Sequence, residues 1–154
     1  MTKRMVIAVL ALGGVFVSAY LTLYKLGYIG TLSCSIGSCE TVQMSKWAKF
    51  LGLPVAAWGV GFYLVMLGIA IAGTLPRFTE SRRLSGVLLV MSILGFVFTI
   101  YLTTLEAFVI HAYCIYCLGS ATIVTLILIA AVLDYRELRP LDSTAAGLGR
   151  VVQP

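Results

Sequence analysis

Four long apolar stretches constrain the fold of this chain more than any other feature. They run from about Met5 to Leu26, Pro54 to Leu75, Leu84 to Ile110 and Tyr113 to Leu133. A helix needs about 20 mostly apolar residues to cross the hydrocarbon core of a bilayer, and each stretch meets that length. The predicted fold class is therefore an all-α integral membrane protein, a four-transmembrane-helix bundle. Pro54 suits the first turn of its helix, and the third stretch is long enough to tilt or to fray at one end.

The composition agrees with a membrane protein. Charged residues make up 11% of the 154 residues, against about 25% in a soluble domain, and the mean hydropathy is +1.03. A net charge of +5 could suggest nucleic-acid binding, but the charges cluster at the ends of the apolar stretches, as topology signals do.

The length suits one membrane domain, residues 1–138, with a flexible cytoplasmic tail, residues 139–154. Met1 to Ala19 could also be a signal peptide, but the apolar run continues without a clear cleavage site, which favours a retained helix.

The basic residues predict how the bundle is oriented. One side of the predicted membrane holds Lys3, Arg4, Arg77, Arg82, Arg83, Arg136, Arg139 and Arg150, and the other holds Lys25, Lys46 and Lys49. Lysine and arginine favour the cytoplasmic side, so both termini and the Thr74–Arg83 loop are expected there. The Gly27–Leu53 connection and a tight turn near His111 then lie outside. We expect a multi-pass membrane protein with its N- and C-termini in the cytoplasm.

The first outer connection contains an amphipathic segment. From Thr41 to Leu51, apolar residues recur among polar ones at helical spacing, which predicts a short helix lying in the membrane interface. Trp47 is the kind of residue that anchors such a helix. The helix would form a cap over the bundle, and an ordinary re-entrant loop is the alternative.

All four cysteines are predicted to lie on the outer face. Cys114 and Cys117 form a C-x-x-C motif at the start of the fourth helix, where the helix dipole favours the Cys114 thiolate. Three residues apart, they share a helix face, with Cys117 one turn deeper in the membrane. The outer thiol suits exchange with a protein thiol, and the deeper thiol suits a hydrophobic two-electron acceptor such as a quinone.

The second pair, Cys34 and Cys39, leaves several interpretations open. Gly37 and two serines between them allow a turn that brings the sulfurs together. The pair can act as a shuttle that feeds the C-x-x-C motif, or both pairs can be structural disulfides in a non-enzymatic membrane subunit. Four thiolates could also bind zinc, although half of that site would lie inside a membrane helix. A DsbB-type quinone-linked oxidase also has four helices, but it carries its C-x-x-C early and its second pair late, the reverse of this order.

Other side chains are candidates for a quinone or proton site. Glu106 is the one acid well inside a predicted span, where acids usually face a cavity or a partner. If the third helix ends early, Glu106 is interfacial instead. His111, the only histidine, could stabilise the Cys114 thiolate or could be plain surface. The aromatic candidates, which could instead be packing or interfacial-belt residues, are Trp58, Phe62, Tyr63, Phe96, Tyr101, Phe108 and Tyr113.

With these residues identified, the chain resembles the vitamin K epoxide reductase family in its bacterial, disulfide-forming type. Three stretches within about Tyr20 to Leu133 carry the resemblance. The first is Cys34 and Cys39 followed by Glu40-Thr41-Val42 and Ser45-Lys46-Trp47. The second is Leu51-Gly52-Leu53-Pro54-Val55-Ala56-Ala57-Trp58-Gly59, running into Gly61-Phe62-Tyr63. The third is Tyr101-Leu102 through Glu106 and then Cys114-Ile115-Tyr116-Cys117.

The resemblance implies a four-helix bundle around a quinone, ubiquinone or menaquinone, and a quinone-dependent oxidoreductase that generates protein disulfides. It implies that Cys117 meets the quinone and that Cys114 exchanges with Cys39. It also implies that the Cys34/Cys39 pair receives electrons from a thioredoxin-like (DsbA-like) protein. A member of the bacterial type is expected in the bacterial inner (cytoplasmic) membrane, with its active site on the periplasmic face. Ser45 matches a position associated with the loop and active-site region. Some bacterial members carry a fused thioredoxin-like domain, but this sequence stops at Pro154, so a separate partner is expected.

The sequence also departs from animal members of the family. Those carry an Asn early in the second helix and a Tyr just beyond the C-x-x-C motif, whose side chains hydrogen-bond the quinone ring. Val55 and Ala121 stand at the corresponding positions here. The resemblance therefore does not carry epoxide reduction or coumarin-type inhibition over to this chain.

Overall fold

The structure, a computed structural model, describes residues 2–34, 37–78 and 81–151, with side chains described as far as Glu137. The helices are α1 (Thr2–Lys25), α2 (Cys39–Met44), α3 (Val55–Ala72), α4 (Arg82–Leu105) and α5 (Ile115–Val151). A 3₁₀ turn (Lys46–Ala48) and a two-stranded hairpin, β1 (Lys49–Phe50) and β2 (Leu53–Pro54), connect α2 to α3, and a π-helical turn (Glu106–Ile110) extends α4.

The four-helix prediction is confirmed. Within the described ranges, four helical segments are long and apolar enough to cross a membrane: Lys3–Lys25, Val55–Ala72, Arg82–Ile110 and Ile115–Glu137. The predicted start of the second span is corrected by one residue, because Pro54 ends β2 in an extended conformation (ψ 137°) rather than entering the first turn of α3.

The bundle is packed unevenly. Helix α1 packs against α3 and α5, and α4 packs against α5, whereas α3 and α4 touch only sparsely. The main core lies in the half of the bundle near the chain termini and is built on Ile7, Met66, Leu88 and Ile127. The sparse seam between α3 and α4 leaves room for a cavity in the other half.

One buried guanidinium ties the helix ends near the termini together. Arg4, 2% exposed, donates from Nε to Asp134 Oδ2 at 3.1 Å and from Nη2 to Ser85 Oγ at 2.8 Å. Its Nη1 donates to the carbonyl oxygens of Gly73 at 2.7 Å and Phe78 at 3.0 Å. A buried charge is tolerated when it is paired and its donors are satisfied, so this network fixes one end of all four spanning helices.

The predicted interfacial helix from Thr41 to Leu51 is only partly correct. Helix α2 covers Cys39–Met44 and ends because Ser45 turns the backbone to an extended conformation (ψ 154°). Leu51 and Gly52 both have positive φ, 53° and 83°, as in the two-residue turns that favour a glycine and close tight hairpins. The rest of the segment is therefore a 3₁₀ turn and a hairpin.

Helix α5 continues as backbone to Val151, beyond the predicted end of the fourth span at Leu133. The flexibility and the cytoplasmic location of the predicted tail, residues 139–154, stay predictions. Its last three residues lie outside the described residues.

Candidate functional site

All four cysteines lie at one end of the bundle, which we call the cysteine end. Cys39, 1% exposed, and Cys114, fully buried, belong to one apolar cluster, and Cys34 and Cys117 pack against it. Leu21, Leu32 and Val42 complete the buried part of this cluster. Cys34 and Cys114, the first members of the two pairs, are 80 residues apart in the chain. The two pairs are nevertheless neighbours at the cysteine end of the bundle.

The loop between the first two cysteines docks on the residues that precede α5. Gly37 forms an isolated antiparallel bridge with Cys114, and the Ser38 N–H donates to the Tyr113 carbonyl oxygen at 3.0 Å. Gly37 has φ 96°, and a Cβ there would lie 2.4 Å from that same oxygen. Only glycine combines this backbone conformation with so close an approach. Ser35 and Ile36, in the same loop, lie outside the described residues.

The two pairs are in different redox states. Cys34 and Cys39 form a disulfide with their Cα atoms 6.2 Å apart, whereas Cys114 and Cys117 are free thiols within hydrogen-bonding reach of each other. Cys34 is half-buried and Cys39 is buried. Cys34 is therefore the sulfur of the first pair that a thiol arriving from the aqueous side can reach. Disulfide exchange depends on such access.

Cys114 sits directly before the first turn of α5. Its carbonyl oxygen accepts the Leu118 N–H at 3.0 Å, the first hydrogen bond of the helix. The Cys117 thiol, hydrogen-bonded to Cys114 Sγ, lowers the pKa of Cys114 to about 7, helped by the backbone N–H groups of Cys117 and Tyr116. A thiol at a helix N-terminus with such donors is a nucleophile near neutral pH.

A tight turn brings Glu106 to the start of α5. The π-helical turn ends at His111, which has left-handed φ of 54°, and the N–H groups of His111 and Ala112 both donate to the Glu106 carbonyl oxygen. The chain then reverses, so the Cys114 N–H reaches Glu106 Oε2 at 3.3 Å. Glu106 is 4% exposed and also lies within hydrogen-bonding reach of Cys117, so it is buried rather than interfacial.

A cavity of about 370 Å³ opens beside Cys117, between the spanning helices and beneath α2 and the hairpin. Its walls are mostly aliphatic and aromatic with a few polar groups, which is the usual character of a small-molecule site. Six residues singled out from the sequence line it: Ser45, Trp58, Phe62, Tyr63, Glu106 and Cys117.

Other predicted site residues lie elsewhere. The side chain of His111 is exposed and is not part of the cavity lining. Phe96 and Phe108 line a second, smaller cavity, and Tyr101 and Tyr113 are exposed. Five of the predicted residues are therefore separated from the main cavity: Phe96, Tyr101, Phe108, His111 and Tyr113.

Tyr63 is buried and hydrogen-bonded in the cavity wall. It is 2% exposed, and its hydroxyl lies 2.7 Å from Ser120 Oγ and 3.1 Å from the Ser120 carbonyl oxygen. A Cβ at Gly14 would lie 2.3 Å from the Tyr63 ring. The sequence interpretation missed both neighbours. Ser120 could have been found, since it lies three residues after Cys117 on the same helix face, but no local signal marks Gly14.

Trp58 and Ser45 hold the roof of the cavity. The Trp58 indole N–H donates to the Phe50 carbonyl oxygen of β1 at 3.1 Å, and the Phe50 ring contacts both Trp58 and Phe98 edge-on. The Ser45 hydroxyl donates to the Val42 carbonyl oxygen at 2.8 Å and closes the end of α2. The hairpin therefore bridges the sparse seam between α3 and α4.

The sulfurs do not form a four-thiolate metal site in this structure, because Cys34 and Cys39 are bonded to each other. No group of three or more His, Cys, Asp or Glu side chains within the described part of the chain could hold a metal ion.

The fold and the site define a multi-pass membrane protein in which a thiol–disulfide centre borders an apolar cavity. Residues 5–132 match the model of the vitamin K epoxide reductase family, and the chain belongs to this family. Its members are membrane thiol–disulfide oxidoreductases that use quinone-type substrates. Membership favours the enzymatic interpretation over a structural subunit, and this family over the DsbB type.

Proposed function

We propose that the protein oxidises a thioredoxin-like protein outside the cytoplasm and passes two electrons through Cys34/Cys39 and Cys114/Cys117 to a membrane quinone. The observation that carries the proposal is the position of the C-x-x-C motif between two neighbours. Cys114 packs with Cys39 in one buried cluster, and Cys117 lines the cavity. Electrons entering at the first pair therefore have a short path to the cavity.

The electron path consists of thiol–disulfide exchanges that conserve bonds at each step. A dithiol partner attacks Cys34, the accessible sulfur, and leaves as a disulfide while Cys34 and Cys39 become thiols. Cys39 then attacks the Cys114–Cys117 disulfide at Cys114, and Cys34 resolves the mixed disulfide. This restores Cys34–Cys39 and leaves two thiols at Cys114 and Cys117, which is the state of the structure.

The cavity residues fit a quinone. A volume of about 370 Å³ lies within the usual range for small-molecule sites, and the aliphatic and aromatic walls suit a hydrophobic ring. Val55 and Ala121 both line the cavity, so the positions that carry hydrogen-bonding side chains in animal members are apolar here. A quinone would be the two-electron acceptor, and both ubiquinone and menaquinone can be reduced to a quinol by two electrons and two protons.

The orientation follows from the positive residues at the two ends. Lys25, Lys46 and Lys49 lie at the cysteine end, and the larger basic group lies at the other end. By the positive-inside rule, the cysteine end faces the periplasm of a bacterial inner membrane and both termini face the cytoplasm. Labelling of the reduced first pair by a membrane-impermeant thiol reagent in spheroplasts tests this, and protection from the reagent would reverse the orientation.

Purified protein in detergent or nanodiscs tests the activity. Cys114→Ala and Cys117→Ala should each abolish quinone-coupled oxidation of a dithiol protein, measured as quinol formed per disulfide made. Normal turnover by either variant would refute the assignment. Cys39→Ala should block protein dithiols more than small dithiols. An unchanged thiol-alkylation pattern after quinone is added to reduced wild-type protein would instead support the structural-subunit alternative.

A further inference from the structure

We propose that Glu106 is a catalytic residue of the quinone step, the proton carrier between the Cys117 thiol and a quinone oxygen. This inference rests on the proposed function and assigns a role in it to a side chain that takes no part in the exchange of electrons between sulfurs.

The first argument is the position of the Glu106 side chain. It accepts the Cys114 N–H, lies within hydrogen-bonding reach of Cys117 and lines the cavity. A general acid or base must lie within hydrogen-bonding reach of the proton that it moves, and Glu106 meets this condition at the sulfur that borders the cavity.

The second argument is the scarcity of alternatives. Among the described residues that line the cavity, Glu106 is the one carboxylic acid. The hydroxyl of Tyr63, another residue that lines the cavity, is already hydrogen-bonded to Ser120. Neither ion pair found in the described ranges, Lys3–Glu137 or Arg4–Asp134, involves Glu106, so no salt bridge there holds its carboxylate. A buried acid inside a membrane helix is costly, and such residues commonly mark proton pathways.

The chemistry requires a proton carrier. Two S–H bonds break and one S–S bond forms between Cys114 and Cys117, while the quinone gains two electrons and two protons. The Glu106 carboxylate takes the Cys117 proton and gives it to a quinone oxygen. The Cys114 proton is released to water at the cysteine end. The second proton that the quinone needs comes from water and reaches the other quinone oxygen through the same Glu106 carboxyl group. The products are one disulfide and one quinol, with Glu106 in its starting state.

Single-turnover kinetics test the proposal. Protein reduced at Cys114 and Cys117 is mixed with a short-chain ubiquinone analogue, and the loss of quinone absorbance is followed. Glu106→Gln keeps an oxygen that accepts the Cys114 N–H but cannot carry a proton, so its rate should fall roughly 10²- to 10⁴-fold. Glu106→Asp should recover part of the rate. Thr104→Val is the matched control, because Thr104 is exposed on the same helix outside the main cavity, and its rate should match wild type.

A purely structural role predicts a different pattern. It would slow the internal exchange between the two cysteine pairs as well, which alkylation followed by mass spectrometry measures; we expect that exchange to be unchanged in Glu106→Gln. A wild-type rate of quinone reduction in Glu106→Gln would overturn the inference while leaving the proposed function intact. Failure of wild-type protein to reduce quinone would instead remove the proposed function.

A measurement on wild-type protein covers the case in which Glu106→Gln does not fold. Infrared difference spectra of the quinone reaction should show a carboxylic-acid C=O band that changes during turnover and shifts in D₂O. Absence of any carboxyl signal would also overturn the inference.

Discussion

Gly37→Ala should detach the loop of the first cysteine pair from the start of α5. The added Cβ would lie 2.4 Å from the Tyr113 carbonyl oxygen, and alanine would have to adopt φ 96°. The backbone conformation costs about 1–2 kcal/mol, and the lost Ser38–Tyr113 hydrogen bond about 0.5–1.5 kcal/mol. Docking should weaken by about 1.5–3.5 kcal/mol, which is about 10- to 400-fold in its equilibrium constant.

The alkylation rate of Cys114 measures this change. Cys114 is fully buried beneath the docked loop, so a water-soluble maleimide reaches it only when the loop opens. The labelling rate at Cys114, located by peptide mass spectrometry, should rise by the same factor of about 10 to 400. Oxidation of a protein dithiol should slow, while oxidation of a small dithiol that reaches the C-x-x-C motif directly should persist.

Two other glycines of the same connection separate the possible causes. Gly27 also has a positive φ, 85°, but nothing lies within 4 Å of its Cβ position, so Gly27→Ala carries the backbone cost away from Cys114. Gly30→Ala carries neither cost. Both should leave Cys114 protected. If Gly37→Ala leaves the labelling rate unchanged, or if Gly27→Ala raises it equally, the docking argument is wrong.

Two further predictions follow from the site. The pKa of Cys114 is lowered to about 7, so the fraction of Cys114 present as thiolate increases as the pH rises through 7. The alkylation rate of Cys114 should therefore increase roughly tenfold from pH 6 to pH 8 and then level off. A midpoint above pH 8 would contradict the stabilisation of the thiolate by the Cys117 thiol. Gly14→Ala should displace the Tyr63 ring, costing about 1–3 kcal/mol in thermal or denaturant unfolding and raising the KM for quinone. Gly13→Ala, with nothing within 4 Å, is its control, and equal effects of the two would show that the Tyr63 contact is unimportant.

Local sequence patterns were sufficient for the spanning helices but not for the cap. Apolar length alone predicts four spans, because crossing the hydrocarbon is a property of each segment by itself. The segment after Cys39 has helical periodicity throughout, yet only Cys39–Met44 is helical there. Short amphipathic helices are marginal on their own, so contacts with other segments decide between helix and hairpin. Here Trp58 binds the Phe50 carbonyl oxygen, and the Leu51-Gly52 turn closes the hairpin.

The sequence by itself determined that this is a four-span membrane protein with two cysteine pairs and an acid near the second. Length, hydropathy and side-chain chemistry are written locally, so they can be read without a fold. Only the tertiary structure decided that Gly37 rests on Tyr113, that Glu106 reaches Cys114 and that Ser120 holds Tyr63 beside a cavity. These contacts join residues from different segments, and whether they form depends on how whole helices pack and where the chain reverses.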